Sequence, residues 1–291
     1  MELKGGGQCY INLKSASKLM NGAISVRQAL ARHLPSRTAN RYDSQMQPRE
    51  YDIMYNLEST YWWHTGMMAI MEQMLAPTLV SGAKLLDIGC GTGAKMQLLS
   101  RYAEVWGIDM HPRAIELCGE RGLENVQTGD ATALPFEDGT FTHAICCEVL
   151  QNLENDIAGV REAYRVLKPG GYYYVSEQAY PVLRGQHDIS QGAVRRYTRK
   201  RLREIMGDAG FSIKRMTSAN TVLFPMLAAV RLASRALHPP SKIKPEESHS
   251  DLKPLPGPAN YLLRSILEAE RAMIKKTSLP YGLTIITLAQ K

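Results

Sequence analysis

Residues 84–93 read KLLDIGCGTG. Lys84–Ile88 is an aliphatic run without polar alternation, the pattern of a short strand buried on both faces. Gly89, Gly91 and Gly93 then alternate with Ile88, Cys90 and Thr92, and residues 94–101, AKMQLLSR, read as a helix. A strand, a Gly-rich turn and a helix start form a cradle for a nucleotide. Glycine lets the backbone approach the ligand, and the free N–H groups of the helix start face it. The spacing G-x-G-x-G differs from the dinucleotide fingerprint G-x-G-x-x-G. A lone Gly-rich turn is a weak signal, so its neighbours decide.

Working outward, residues 104–109, EVWGID, read as a second strand ending in an acid. Asp109 lies 22 positions after Asp87, about the interval at which a βαβ unit brings a carboxylate to ribose hydroxyls. GDATALPF (129–136), FTHAICCEVLQNL (141–153) and REAYRVLKPGGYYYVSE (161–177) follow. They read as a strand-end loop, a fourth strand with its exit, and a helix, Lys-Pro-Gly-Gly turn and fifth strand. In this order the motifs DIGCGTG, an acid ending strand two, GDATALPF, E-V-L-x-N-L and R-x-L-K-P-G-G resemble the class I S-adenosyl-L-methionine (SAM) dependent methyltransferases. The resemblance covers residues 84–215.

It implies an α/β fold: a Rossmann-like, seven-stranded, mostly parallel sheet with a reversed final strand, helices on both faces and a largely helical cap. It implies SAM as cofactor and S-adenosyl-L-homocysteine as product. By the same resemblance Asp87, with Gly89, Gly91 and Gly93, serves the turn and the methionine amino group. Asp109 accepts the ribose hydroxyls, Met110 flanks the adenine, Asp130 bonds the adenine amino group, and Ala131 lies beside the ring. Carboxylates suit such roles because, ionised, they are pure acceptors. Glu148 stands where the family offers a group to the methionine end, which makes it a candidate catalytic as well as cofactor-binding residue. Two positions depart from the family: Phe141-Thr142 replaces Phe-Asp, and Asn152 replaces a common histidine. Asparagine is a poor base, so Asn152 is expected to make a structural hydrogen bond.

Residues 50–76 crowd Tyr51, Tyr55, Tyr61, Trp62 and Trp63 into 13 positions, ahead of a methionine-rich helix expected over Thr65–Leu75. The pattern YDxMYxxExxYWW resembles a subgroup of small-molecule methyltransferases in glycan, lipid and secondary-metabolite pathways. Two readings stand side by side: packing aromatics, or a site lining in which Trp62 meets the cofactor, Tyr55, Glu58 and Trp63 meet the acceptor, and His64 acts in catalysis. Aromatic faces attract a sulfonium cation. Beyond strand five, residues 180–198 form a loop at the carboxyl edge of the sheet, where doubly wound folds bind ligands. Tyr180 borders the acceptor there, and His187, beside Asp188, is a candidate for proton transfer. Arg195 and Arg196 are either solvated residues before a helix capped by Thr198 or a fork for an anionic acceptor.

The chain divides into an N-terminal arm or lid (1–48), with one helix plausible near Ser25; an aromatic, Met-rich cap segment (49–83); a SAM-binding core (84–218); a substrate-side cap insertion (219–279); and a final strand (280–291). Positive charge lies outside the core. Residues 84–177 hold 8 Lys/Arg against 14 Asp/Glu, and residues 178–291 hold 19 against 8. That balance suits a solvated face or attraction of an anionic substrate or membrane surface. No nucleic-acid-binding motif accompanies it. Five cysteines without a framework and without C-x-x-C spacing suit a reducing, cytoplasmic setting and no metal. The longest apolar stretch, Val222–Val230, is too short to span a bilayer, leaving peripheral contact as the membrane option. Residues 223–237 read as a greasy pocket wall, as packing or a homodimer face, or as a membrane-surface helix. The expected reaction is methyl transfer to a small, partly apolar or lipid-like acceptor by a monomer or homodimer. The alternative is a SAM-binding, non-methylating protein such as a cyclase on the same scaffold.

Overall fold

The aliphatic run at 84–88 forms the middle of the sheet. The computed structural model describes residues 46–237, 248, 250 and 252–291. Its strands are β1 (Lys84–Ile88), β2 (Glu104–Asp109), β3 (Val126–Thr128), β4 (Phe141–Cys147), β5 (Leu167–Gln178), β6 (Ser212–Ala219) and β7 (Thr284–Gln290). They form one sheet in the order β3-β2-β1-β4-β5-β7-β6. All neighbouring pairs are parallel except those of β7, which runs antiparallel to both β5 and β6. The helices among the described residues are α1 (Pro48–Leu57), α2 (Trp62–Leu75), α3 (Ala94–Leu99), α4 (Pro112–Glu120), α5 (Asp156–Val166), α6 (Gln186–Ser190), α7 (Arg199–Asp208), α8 (Phe224–Leu237) and α9 (Gly257–Lys276).

Alternation along the strands sends side chains to two separate cores. Leu86, Ile88, Ala144, Tyr173 and Val175 join Val160 and Ala163 of α5 and Leu202 and Ile205 of α7. Leu85, Ile145, Tyr174 and Ile286 join Ile70 and Met71 of α2, Met96 of α3 and Leu267 and Ile274 of α9. Asp87 lies between Leu86 and Ile88 in sequence and so shares the second face with Leu85. Helices α2 and α9 approach closely because Gly66 offers no side chain; a Cβ there would collide with Leu267. Tyr61 gives α2 no side-chain cap. Instead Asn260 of α9 accepts from the Trp62 amide at 2.9 Å and donates to the Thr60 carbonyl at 2.9 Å.

Several local expectations shift. Helix α2 starts three residues before Thr65. Residues 48–57 form α1, with Pro48 in its first turn, where a missing N–H costs nothing. The Lys-Pro-Gly-Gly segment is no separate turn. Strand β5 starts directly after α5, Gly170 takes φ +80°, and the register slips between Phe141 and His143. The helix expected near Ser25 and most of the Pro-rich linker after α8 lie outside the described residues.

Candidate active site

Three strands end in a left-handed residue other than glycine. Glu148 (φ 63°) follows β4, Tyr180 (φ 62°) lies just beyond β5, and Asn220 (φ 59°) follows β6. Asparagine tolerates this region; for Glu and Tyr it is strained, and such strain gathers where side chains are aimed for function. The Gly89–Gly93 turn follows β1 at the same edge. Gly89 has φ +73°, and a Cβ there would collide with Val149 of the β4 exit, so only glycine lets the two loops meet.

Asp109 closes β2 as a fixed acceptor. Its Oδ2 accepts from the Gly91 amide at 3.0 Å, and its Oδ1 accepts from the His111 amide at 2.9 Å and the Tyr51 hydroxyl at 3.2 Å. Burial pushes its pKa up, against these three donors. Tyr51 also packs its ring on His111, 4.9 Å between centroids. Helix α1 is thereby seated over the carboxyl edge of β2. Arg113 holds Asp52 at 2.8 Å, and Arg121 pairs with Glu58, which also accepts the Thr92 hydroxyl.

Asp87 contrasts with Asp109. It is fully buried, and neither oxygen has a hydrogen-bond partner. Burial pushes its pKa to about 7, with Lys95 opposing. The Glu148 carboxyl is also buried, but it has the Gln178 side chain beside it; burial raises it to about 7 against the Arg196 charge and the Gln178 hydrogen bond. Lys95, on the first turn of α3, interacts electrostatically with Asp87, Glu58, Glu148 and His64. Burial alone would lower its pKa, but the surrounding acids and thiols hold it above the usual ammonium value. His64 is pressed to about 3 by burial, then by Lys95 and His187, and its buried Nε2 has no partner. It is neutral at ordinary pH.

The exit of β4 is fixed from β5. The Glu177 carboxylate accepts from the amides of Val149 (3.2 Å), Leu150 (2.8 Å) and Gln151 (3.2 Å). This holds the turn Leu150–Asn152 and thus the direction of Glu148. The Asn152 side-chain oxygen is buried without a partner, so the structural hydrogen bond expected of it is not made there.

Other candidates fall in separate places. Met110 follows Asp109, half-buried. Asp130 accepts at Oδ1 from both the amide and the hydroxyl of Thr132, and Ala131 is buried beside the α5 core. Trp62 is buried with Met67 and Leu267 in the α2–α9 core, while Trp63 sits edge-on to His64 at 5.0 Å. Tyr55 lies under the Arg121 guanidinium at 4.4 Å, and Tyr180 packs on Phe224 at 4.9 Å. His187 is half-buried on α6 and near enough to His64 to lower its pKa.

The arginine fork expected to grip an anionic acceptor is committed within the protein. Arg196 pairs bidentately with buried Asp188, Nε–Oδ1 2.6 Å and Nη2–Oδ2 3.0 Å, and donates to the Ala179 carbonyl. Arg195 donates to the carbonyls of Leu153 and Glu154 and pairs with Asp156 at 3.4 Å. These bonds tie the β5 exit and the loop before α5 together. Lys95 and Glu177 are the site residues the sequence reading missed. A lysine in a helix first turn reads as solvated, and a strand-end glutamate gives no hint of the amides it will meet.

Residues 86–175 match the family model described as a methyltransferase domain. That stretch carries a methyltransferase domain. The demethylmenaquinone methyltransferase of Staphylococcus aureus strain JH9 is 34% identical over 143 residues, 46% of this chain and 58% of that protein. The chain thus spans less than two thirds of the length of that curated relative. The [4+2]-cyclase SpnF superposes with a TM-score of 0.52 at 22% identity, over 85% of this chain and 96% of its own. A SAM-dependent methyltransferase from Thermotoga maritima gives 0.52 at 19%, over 84% and 95%. These two likenesses speak for the fold.

A methyltransferase domain implies S-adenosyl-L-methionine as cofactor, and the residues present fit it. The orphaned Asp87 carboxylate suits an ammonium group, and Lys95 next to it suits a carboxylate. Asp109 keeps one acceptor position, on Oδ2, for a ribose hydroxyl, since each carboxylate oxygen carries two lone pairs and three of the four are taken. A site around a cation needs just such acids left without internal partners.

Proposed function

We propose that the protein methylates a small, partly apolar or lipid-like acceptor. The observation that carries this reading is the buried, unpartnered Asp87 carboxylate, with buried Glu148, Lys95 and neutral His64 around it. SAM supplies an activated methyl group on a sulfonium, transferred in line as the carbon–sulfur bond breaks. Asp87 receives the ammonium of the methionine part and the free Oδ2 position of Asp109 a ribose hydroxyl, which fixes the line of transfer. Such alignment lowers the barrier by several kcal/mol. Glu148, with a pKa of about 7, takes the proton that leaves an acceptor hydroxyl or acidic carbon. His64, at about 3, is a weak base and serves better as a neutral wall with Tyr61 and Trp63.

The acceptor class is supported by the apolar α8 segment beside the β5 and β6 exits, and it is in keeping with the name of the S. aureus relative. The test is incubation with methyl-labelled SAM and a lipid extract. Label is expected in an organic-phase product. Glu148→Gln should lower turnover by about 10²–10⁴ while SAM affinity by calorimetry holds. Label that stays on SAM favours the non-methylating reading, and unchanged turnover in Glu148→Gln removes Glu148 as the base.

A further inference from the structure

Of the three left-handed residues at the carboxyl edge, Asn220 is the one whose side chain the fold does not use. Tyr180 packs on Phe224, and Glu148 lies beside Gln178. Asn220 follows β6 at φ 59° and is 1% exposed, and neither its Oδ1 nor its Nδ2 has a hydrogen-bond partner among the described residues. A carboxamide brings two donors and two lone pairs, and sealing them from water unpaired is costly. The chain does not release it. The Thr221 hydroxyl donates to the Tyr281 carbonyl at 2.5 Å, and the Val222 amide donates to Glu270 Oε1 at 2.7 Å. A Cβ on Gly282 would collide with the Ala219 carbonyl, so the approach to β7 presses on the same bend. Val222, and Met226 and Val230 of α8 after it, are exposed and form an outward apolar stripe. A polar side chain is thus held inside while apolar ones are turned out, the reverse of what solvation alone would choose.

Gln178 and Ala219 both pair with Thr284 of β7, so the exits of β5 and β6 stand level, two strand spacings or roughly 10 Å apart. Gln178 hydrogen-bonds to Glu148. We propose that Asn220 is a specificity-determining residue: its carboxamide binds an uncharged polar group of the acceptor, a hydroxyl or an amide, carried roughly 10 Å from the atom that is methylated. The inference rests on methyl transfer beside Glu148, as proposed above. A hydroxyl or an amide both accepts from Nδ2 and donates to Oδ1, whereas an ammonium leaves Nδ2 unpaired. An anion would meet Glu270, which is 1% exposed, bonded to Val222, and has its Oε2 buried without a partner among the described residues. Asp87, which takes the cofactor's ammonium, is buried as completely as Asn220. A site built to hydrogen-bond one polar group rejects molecules that lack it, because its own buried groups then stay unpaired.

The experiment compares the parent chain with Asn220→Gly, in which glycine keeps the left-handed backbone. Both proteins, immobilised and saturated with S-adenosyl-L-homocysteine, are exposed to a cell lipid extract and washed, and the retained molecules are read by mass spectrometry. Retention needs no turnover, so its result is separate from that of the labelled-SAM assay, which tests methyl transfer alone. The parent is expected to retain a molecule with a hydroxyl or amide in addition to its methylatable group. Asn220→Gly should retain about tenfold less, the scale of one lost hydrogen bond. Affinity for S-adenosyl-L-homocysteine by calorimetry and the melting temperature without extract should hold, because the carboxamide makes no bond to the described residues. A melting temperature lower by more than about 4 °C would give the carboxamide a structural role and overturn the proposal. So would equal retention by the two proteins, retention by neither, or a retained molecule without a second uncharged polar group.

Discussion

The two halves of the carboxyl edge of the sheet are built on different plans. Around β1 and β2, the acid ending a strand takes backbone amides of the neighbouring loops: Asp109 accepts from Gly91 of the Gly turn and from His111 two positions on. Around β5 and β6, partners come from far along the chain: Arg199 of α7 reaches Leu279 O, and Tyr197 reaches Leu150 O and Asp156. The first half leaves Asp87 unpartnered, which suits a ligand that recurs in every turnover. The second half satisfies its charges internally, with Asp188 locked on Arg196, and leaves apolar surface as its free resource. Unpartnered charge and exposed apolar surface are thereby separated across one edge.

Substitutions can break this contrast from either side. The largest effect is expected from Asp188→Ala. It strands the Arg196 guanidinium, whose side chain is 1% exposed, and removing one partner of a buried pair costs about 3–5 kcal/mol. Urea unfolding should show that loss; a cost below about 1 kcal/mol would mean water relieves the arginine.

Next is a pH effect. The folded value of Asp87, about 7, lies above its ordinary 3.8, so the group favours the folded state fully below about pH 4. That contribution is lost as pH rises through about 7, worth on the order of 4 kcal/mol. A cationic ligand removes this loss. Thermal stabilisation by SAM should therefore grow from pH 5.5 to 8 and flatten in Asp87→Asn. A stabilisation independent of pH would place the cation away from Asp87.

Asp109→Ala should weaken SAM by about 1.5–3 kcal/mol, the scale of a charge-assisted hydrogen bond, read by calorimetry. Unchanged affinity in a folded variant would remove the ribose role. The smallest effect lies away from both halves. Asn260→Ala should cost about 1 kcal/mol, since it uncaps the start of α2. A thermal melt within error of the parent would mean that water replaces the cap.

What was legible in the sequence follows the same division. Strands β1 and β2, the Gly turn and Asp109 were readable because strand, turn and acid lie within about 25 residues of one another, and Glu148 because it opens the E-V-L-x-N-L motif. The register of β5 was not, because the Lys-Pro-Gly-Gly segment has turn chemistry yet continues into pairing with β4. Helix α1 was hidden because its spacing of Tyr51, Met54 and Tyr55 is drowned among other aromatics. Arg196 was misleading for a physical reason: a guanidinium fork suits an internal carboxylate as well as a ligand's, and only the fold brings Asp188 to it. The outward stripe of α8 was invisible as well, since periodicity marks an apolar face but not which way it turns.

Strand β7 lies between β5 and β6, although it follows both in the chain. During synthesis β6 therefore has no edge to join when it emerges. Residues 220–283 must be made first, and at about 5–20 residues per second that is a wait of roughly 3–13 s. Throughout that interval the open flank of β5, with Tyr174 and Val175 on it, is an unpaired edge. The cofactor half can assemble early, while the acceptor half waits on a time delay written into the order of its strands.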